Sequence, residues 1–244
     1  GTAALHLILE AVGVSDPDSV WITSMTFAGG AFPAVYCGAN ITFVDLDAKT
    51  WSIDVTVLTD RLREAKLQSN LPKVIIVTDL YGLCTEIEPL EQLCQKYGIY
   101  LFFDAAESVG ASDANGRKAG SGGLASIISF NGNKIITSGG GGMIVSKDKK
   151  LISLCKKLST QARDEAPHYQ HSRIGFNYRM PSVCAALGIA QFRTLERRVQ
   201  DKKSIFQRHQ RELSDKFIDF YPTNSCNPNF WLSAGSLKPN LKLS

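Results

Sequence analysis

The sequence is poor in the features that mark several protein classes. No run of apolar residues is long enough to cross a bilayer, and the first residues lack the basic-then-apolar order of a secretory signal, so no membrane partner is expected. The six cysteines, Cys37, Cys84, Cys94, Cys155, Cys184 and Cys226, form no C-x-x-C pair and have no neighbouring histidine at metal-ligand spacing. They are expected to be free thiols of a cytoplasmic protein, with no metal. Neither an internal repeat nor a low-complexity segment is present, which argues against a solenoid. Excess charge is also small, with 27 Lys and Arg against 23 Asp and Glu. Arg193, Arg197, Arg198, Lys202 and Lys203 spread over amphipathic stretches as a solvated helix face would, and no nucleic-acid partner is expected.

What is present suits a globular fold. A chain of 244 residues with 44% hydrophobic content can bury a sizeable core, as one large domain or one domain with a fragment of another. Its first residue is Gly1 rather than Met, so a piece of a longer polypeptide is expected.

"GTAALHLILEAVGV" places Leu5, Ile8, Leu9 and Val12 at helical spacing. Short strand-like runs follow: "SVWIT", "ITFVD", "KVIIVTDL", "IYLFFDA", "ASIISF" and "GMIVS". Helical patterns such as "DVTVLTDRLREAK" and "IEPLEQLCQKYG" separate several of them. Strand, helix and strand in repetition predict an α/β fold, a mostly parallel sheet with helices on both faces. Beyond the glycines at 139–142, "KDKKLISLCKKLSTQAR" and a long stretch from Pro181 to Phe217 read as helices, with Pro181 in a first turn. The tail from Tyr221 is rich in Pro, Asn and Ser and reads as the start of an incomplete second domain, giving a large domain over 1–220 and a fragment over 221–244.

Functional groups of open α/β sheets gather just past the carboxyl ends of the strands. "IYLFFDAAES" delivers Asp104 there, and "IISFNGNK" delivers Lys134. Alone, an acid after a strand is commonly a cap, and a lysine commonly points into solvent. Together with Ser129 and the glycines they suit pyridoxal phosphate, which needs an amine, a carboxylate against its pyridine nitrogen and donors for its phosphate. Asp104 would keep the ring nitrogen protonated, and Lys134 would be nucleophile and then proton carrier. Thr2 and Ala3 at a helix N-terminus, with the Ser129 hydroxyl, would bind the phosphate, and Phe27 would stack on the ring. Gly139 to Gly142 would let the backbone turn and pack closely, or form a flexible hairpin. A Walker loop is excluded, because its lysine follows the glycines and here it precedes them.

The ordered set "GTAALHL", "TFAGGAFPAVYCGANITFVDLDAKTWSID", "DLYG", "FDAAESVGA", "GRKAGSGG", "SFNGNKIITSGGGGMI" and "IGFNYRM" resembles the DegT/StrS sugar-nucleotide aminotransferases of the aspartate-aminotransferase fold group. The resemblance spans nearly the whole chain. It implies the large domain of a fold type I pyridoxal-phosphate transferase, with a sheet of seven-stranded type. Lys134 matches the Schiff-base lysine and Asp104 the partner of the pyridine nitrogen. Thr2, Ala3 and Ser129 match phosphate contacts, and Phe27 the stacking position. Glu107 falls where many members have Gln or His near the cofactor's phenolic oxygen, where a carboxylate needs a proton or donor between. Asn177 matches a residue that reaches the phosphate of the neighbouring subunit's cofactor, implying a homodimer with shared sites. The family's dehydratases replace the lysine with histidine, so Lys134 implies transamination. The implied reaction is ping-pong transfer of an amino group from glutamate to a nucleotide-linked keto sugar, a UDP-4-keto-hexose or relative. The alternative is a non-catalytic regulator of the same fold or an inactive fragment.

Overall fold

The computed structural model describes residues 1–239, so the last five positions of the expected segment 221–244 lie outside the described residues. The main sheet contains Ser19–Thr23 (β1), Asn40–Val44 (β2), Val74–Thr78 (β3), Tyr100–Asp104 (β4), Ala125–Ser129 (β6) and Gly142–Val145 (β7), with Ser112–Asp113 (β5) outside it. Its strand order is β2-β1-β3-β4-β6-β7, so among the described residues the main sheet has six strands where a seven-stranded type was expected. The first five run parallel, and β7 pairs antiparallel with β6 from Ser126↔Val145 to Ser129↔Gly142. That reversal follows from the connection, because residues 130–141 form no helix that could carry the chain back across the sheet.

Helices cover both faces. Thr2–Ala11 (α1), Phe32–Tyr36 (α2) and Lys149–Ser159 (α5) lie on one, Val55–Leu67 (α3) and Ile87–Tyr97 (α4) on the other. Side chains on a strand alternate between faces, and the cores divide accordingly. Val20, Ile22, Val74, Ile76 and Phe102 pack with Leu5, Ile8 and Leu9 of α1. Trp21, Ile75, Val77, Leu101 and Phe103 pack with Leu58, Leu62 and Leu90 of α3 and α4. Each fully buried aliphatic or aromatic side chain contributes about 1.5–3 kcal/mol. Side-chain caps set two helix starts: Asp54 accepts from Thr56 N and Val57 N, and Asp148 from Lys150 N and Leu151 N. Gly98, in the left-handed region at φ +69°, ends α4.

The long helix expected from Pro181 onward divides into Ser182–Phe192 (α6) and Leu195–Leu213 (α7). Thr194 makes the break, its hydroxyl donating to Gln191 O at 2.8 Å and accepting from Arg198 Nε at 2.9 Å. Pro181 stands at the N-cap, just outside α6. The tail folds back on the body. Ile218–Phe220 (β8) pairs with Gly235–Leu237 (β10), and Cys226–Asn227 (β9) with β5, while Tyr221 and Phe230 pack with Phe206 of α7. All six cysteines are free thiols. Among the described residues no helix is long and apolar enough to cross a membrane.

Candidate active site

The strand order reverses direction between β1 and β3, and a cleft of about 730 Å³ opens beyond the carboxyl ends of β1, β3, β4 and β6. Asp104 closes β4 at its floor. It is buried, and its Oδ1 accepts from Ala106 N at 3.0 Å. Burial pushes its carboxyl above the usual range and the nearby Glu107 charge adds to this, while the Ala106 N–H opposes them. Behind it, Asp79 is pushed up to about 6 by complete burial, against bonds from Thr85 N at 2.9 Å and Ser108 Oγ at 2.8 Å.

Lys134 follows β6 in a turn closed by its own N–H to Asn131 O at 3.1 Å. The amine does not point freely into solvent: its side chain is 12% exposed, with Nζ 3.4 Å from Glu107 Oε1. The other oxygen of Glu107 accepts from Tyr81 N at 2.7 Å. Trp231 covers the amine from the opposite chain end, its ring centroid 4.2 Å from Nζ.

One wall of the cleft is the start of α1, with Thr2 and Ala3, beside Ser129. A Cβ built on Gly1 would lie 3.4 Å from Ser129 Cβ, so the helix terminus and the serine are immediate neighbours. Gly142 allows this approach, because a Cβ there would come within 2.7 Å of Ile128 O and 2.9 Å of Gly1 N. Phe27 stands at the mouth, 73% exposed. The cleft thus gathers Thr2, Ala3, Phe27, Asp104, Glu107, Ser129 and Lys134.

Asn177 does not join them. It bridges to Thr160, accepts from Gln161 Nε2 at 3.3 Å, and lines a separate open depression with Arg163 and Arg179. The cleft also holds Thr78, Tyr178, Met180 and Trp231, which the sequence reading did not assign to it. Thr78 could have been inferred from its place at the end of a buried strand. Trp231 carried no such signal, because its position depends on a contact almost 100 residues away. Elsewhere, His6, Glu10 and Cys37 bring three donor groups within 4.8 Å of one another. They are mutually satisfied: the Cys37 thiol donates to Glu10, and His6 Nε2 lies 3.5 Å from the same carboxylate oxygen.

Residues 1–237 match the DegT/DnrJ/EryC1/StrS aminotransferase family. Over 243 residues the chain is 41% identical to EpsN of Bacillus subtilis (strain 168), provisionally named a pyridoxal phosphate-dependent aminotransferase, covering 99% of this chain and 62% of that protein. It is 32% identical to a GDP-perosamine synthase of Vibrio cholerae, over 96% of this chain and 62% of the relative. The crystal structure of a DegT DnrJ EryC1 StrS aminotransferase from Brucella abortus superposes with a TM-score of 0.88 at 26% identity, covering 96% of this chain and 62% of that one. The chain therefore spans about three fifths of the length of these relatives. By the match along almost its full length, and by the fold it shares with that structure, the chain belongs to the DegT/DnrJ/EryC1/StrS aminotransferase family.

Proposed function

We propose that the protein is a pyridoxal-phosphate-dependent aminotransferase, and that it moves an amino group from glutamate to a nucleotide-linked keto sugar by a ping-pong reaction in the cytoplasm. The observation that carries this reading is the opening of Asp104, Lys134 and the start of α1 onto one cleft. The donor set fits the cofactor. Asp104 is a buried carboxylate with no side-chain cation in hydrogen-bond contact among the described residues, and a protonated ring nitrogen would supply that missing charge. The N–H groups at the start of α1 and the Ser129 hydroxyl suit a phosphate dianion. When bound, the cofactor supplies a reactive carbonyl for amines and a ring that withdraws electrons from the carbon being deprotonated.

The chain's own groups then have distinct tasks. Asp104 holds a proton on the ring nitrogen. Thr2, Ala3 and Ser129 anchor the phosphate, and Phe27 offers an apolar face at the mouth. Lys134 Nζ would hold the cofactor covalently at rest, water leaving as the bond forms, and would carry protons to and from the substrate carbon during turnover. Glu107 is the counter-ion of Lys134 in the free chain and lies close enough to orient the amine.

A homodimer with shared sites is part of the proposal. The apolar sequence of α6 buries none of its residues in the chain, and Val183 and Ile189 are 76% and 61% exposed, which supports a self-association face there. Asn177 would then serve the partner's phosphate from outside its own cleft. Residues 221–244 would begin the smaller C-terminal domain.

The acceptor is read as a UDP-4-keto-hexose, and the Vibrio relative named for a GDP-linked sugar makes GDP the competing choice. Glutamate consumption with each 4-keto sugar nucleotide, followed by detection of 2-oxoglutarate and the amino sugar, tests the assignment. A folded dimer that binds no cofactor and produces neither would instead be the non-catalytic protein.

A further inference from the structure

The turn Asn229–Phe230–Trp231 lies far along the chain from the three loops it touches. Asn229 Nδ2 donates to Glu107 O at 2.8 Å and to Val109 O at 2.9 Å, and its Oδ1 accepts from Trp231 N at 2.8 Å. Its own N–H donates to Gly82 O at 2.9 Å. Trp231 Nε1 donates to Asn133 O at 2.8 Å, one residue before Lys134, and its ring faces Lys134 Nζ. One turn therefore ties together the loops after β3, β4 and β6, which carry Tyr81, Glu107 and Lys134.

The packing here leaves little freedom. Asn229 is fully buried, and Trp231 is 6% exposed. Phe230 sits in the left-handed region at φ +57°, a conformation that costs a non-glycine residue free energy and persists when its surroundings fix it. Gly82, at φ +102°, is met so closely by the Asn229 side chain that a Cβ would collide with Asn229 Oδ1 and lie 2.9 Å from Trp231 N. An indole face attracts an ammonium by its quadrupole, and a fixed ring restricts where that ammonium can rest.

We propose that Trp231, locked by Asn229, is a positioning residue that sets the direction of the Lys134 amine: the ring face holds Nζ, and the indole N–H holds the loop that carries it. The inference deepens the reading of Lys134 as the cofactor-bearing amine, but it concerns contacts present without cofactor.

The test is acetylation of Lys134 in the full, cofactor-free polypeptide, read by peptide mass spectrometry against the exposed Lys203. Trp231→Leu, which fills space without an aromatic face, should raise the relative rate at Lys134 by about two- to fivefold, as release from a contact of this kind implies. Trp231→Phe keeps a ring face but loses the indole N–H to Asn133 O, and should raise the rate by less than Trp231→Leu does. Rates unchanged in both variants, or raised equally in both, overturn the proposal, because a space-filling tryptophan would not distinguish Phe from Leu. If Trp231→Leu does not fold, Lys134→Met read by indole emission decides: a changed emission supports the contact, and an unchanged one overturns it. Borohydride trapping of pyridoxal phosphate on the parent chain separates the two readings. Failure to trap it on Lys134 counts against the aminotransferase, while the Phe and Leu contrast still decides the role of Trp231.

Discussion

Glu107 Oε1 lies 3.4 Å from Lys134 Nζ, and the other oxygen of the same carboxylate accepts the Tyr81 N–H at 2.7 Å. The carboxylate thus joins the loop after β3 to the amine after β6. Glu107→Ala removes the counter-ion and leaves both the cation and the Tyr81 N–H without this partner. The expected loss of stability is about 1–3 kcal/mol. Glu107→Gln keeps an acceptor for Tyr81 and should lose about half as much or less. Urea denaturation of the two variants measures the difference, and equal losses would contradict the double role.

Asp79 gives a pH signature. Its folded-state value is pushed up to about 6 from 3.8, so between those limits the folded chain retains a proton that the unfolded chain releases. The contribution of Asp79 therefore falls as pH rises through this window and is constant above it, where the full cost of the buried charge is present. Asp79→Asn, whose amide can still accept from Thr85 N and donate to Ser108 Oγ, should match the parent chain below the window. It should gain on it up to about pH 6, by on the order of 2–3 kcal/mol. Stability curves that run parallel from pH 4 to 7 would contradict the assignment.

Gly142→Ala tests the close approach of β7 to the start of α1. The added methyl would meet Ile128 O at 2.7 Å, backbone that cannot rotate away. A loss of about 1–3 kcal/mol is expected, with weakened phosphate binding in a titration with pyridoxal phosphate. Gly140→Ala is the control, because nothing lies within 4 Å of a Cβ there.

The six strands of the main sheet were legible to within a residue or two because most are short β-branched or aromatic runs bounded by turn residues, as in Ser19–Thr23 and Val74–Thr78, whereas the short strands β5, β8, β9 and β10 were not. The positions of Asp104 and Lys134 past strand ends were legible for the same reason, but each alone has a common bland reading, and only their combination with Ser129 and the glycines pointed to a site. The break at Thr194 was hidden, since Phe192 to Leu195 keep a helical pattern and the interruption comes from side-chain bonds to Gln191 and Arg198. Asn229 and Trp231 were hidden more deeply. Their partners at 107, 109 and 133 are remote in sequence, and local composition describes only a polar, proline-containing tail.

The exposed apolar face of α6 makes a prediction about assembly. Val183→Glu combined with Ile189→Glu should leave the fold intact by circular dichroism, since neither side chain is buried in the chain, and should shift sedimentation from dimer to monomer. A parent chain that sediments as a monomer, or a variant that remains dimeric, would remove α6 from the proposed interface.

In the proposed reaction Lys134 is the amine that takes the cofactor. The direct measurement is borohydride reduction of the protein with pyridoxal phosphate, followed by peptide mapping, on the parent chain and on Lys134→Ala. A reduced cofactor is expected on the peptide containing Lys134 and is expected to be absent from the variant. A folded parent chain that carries no adduct, or carries it on another lysine, would contradict that role.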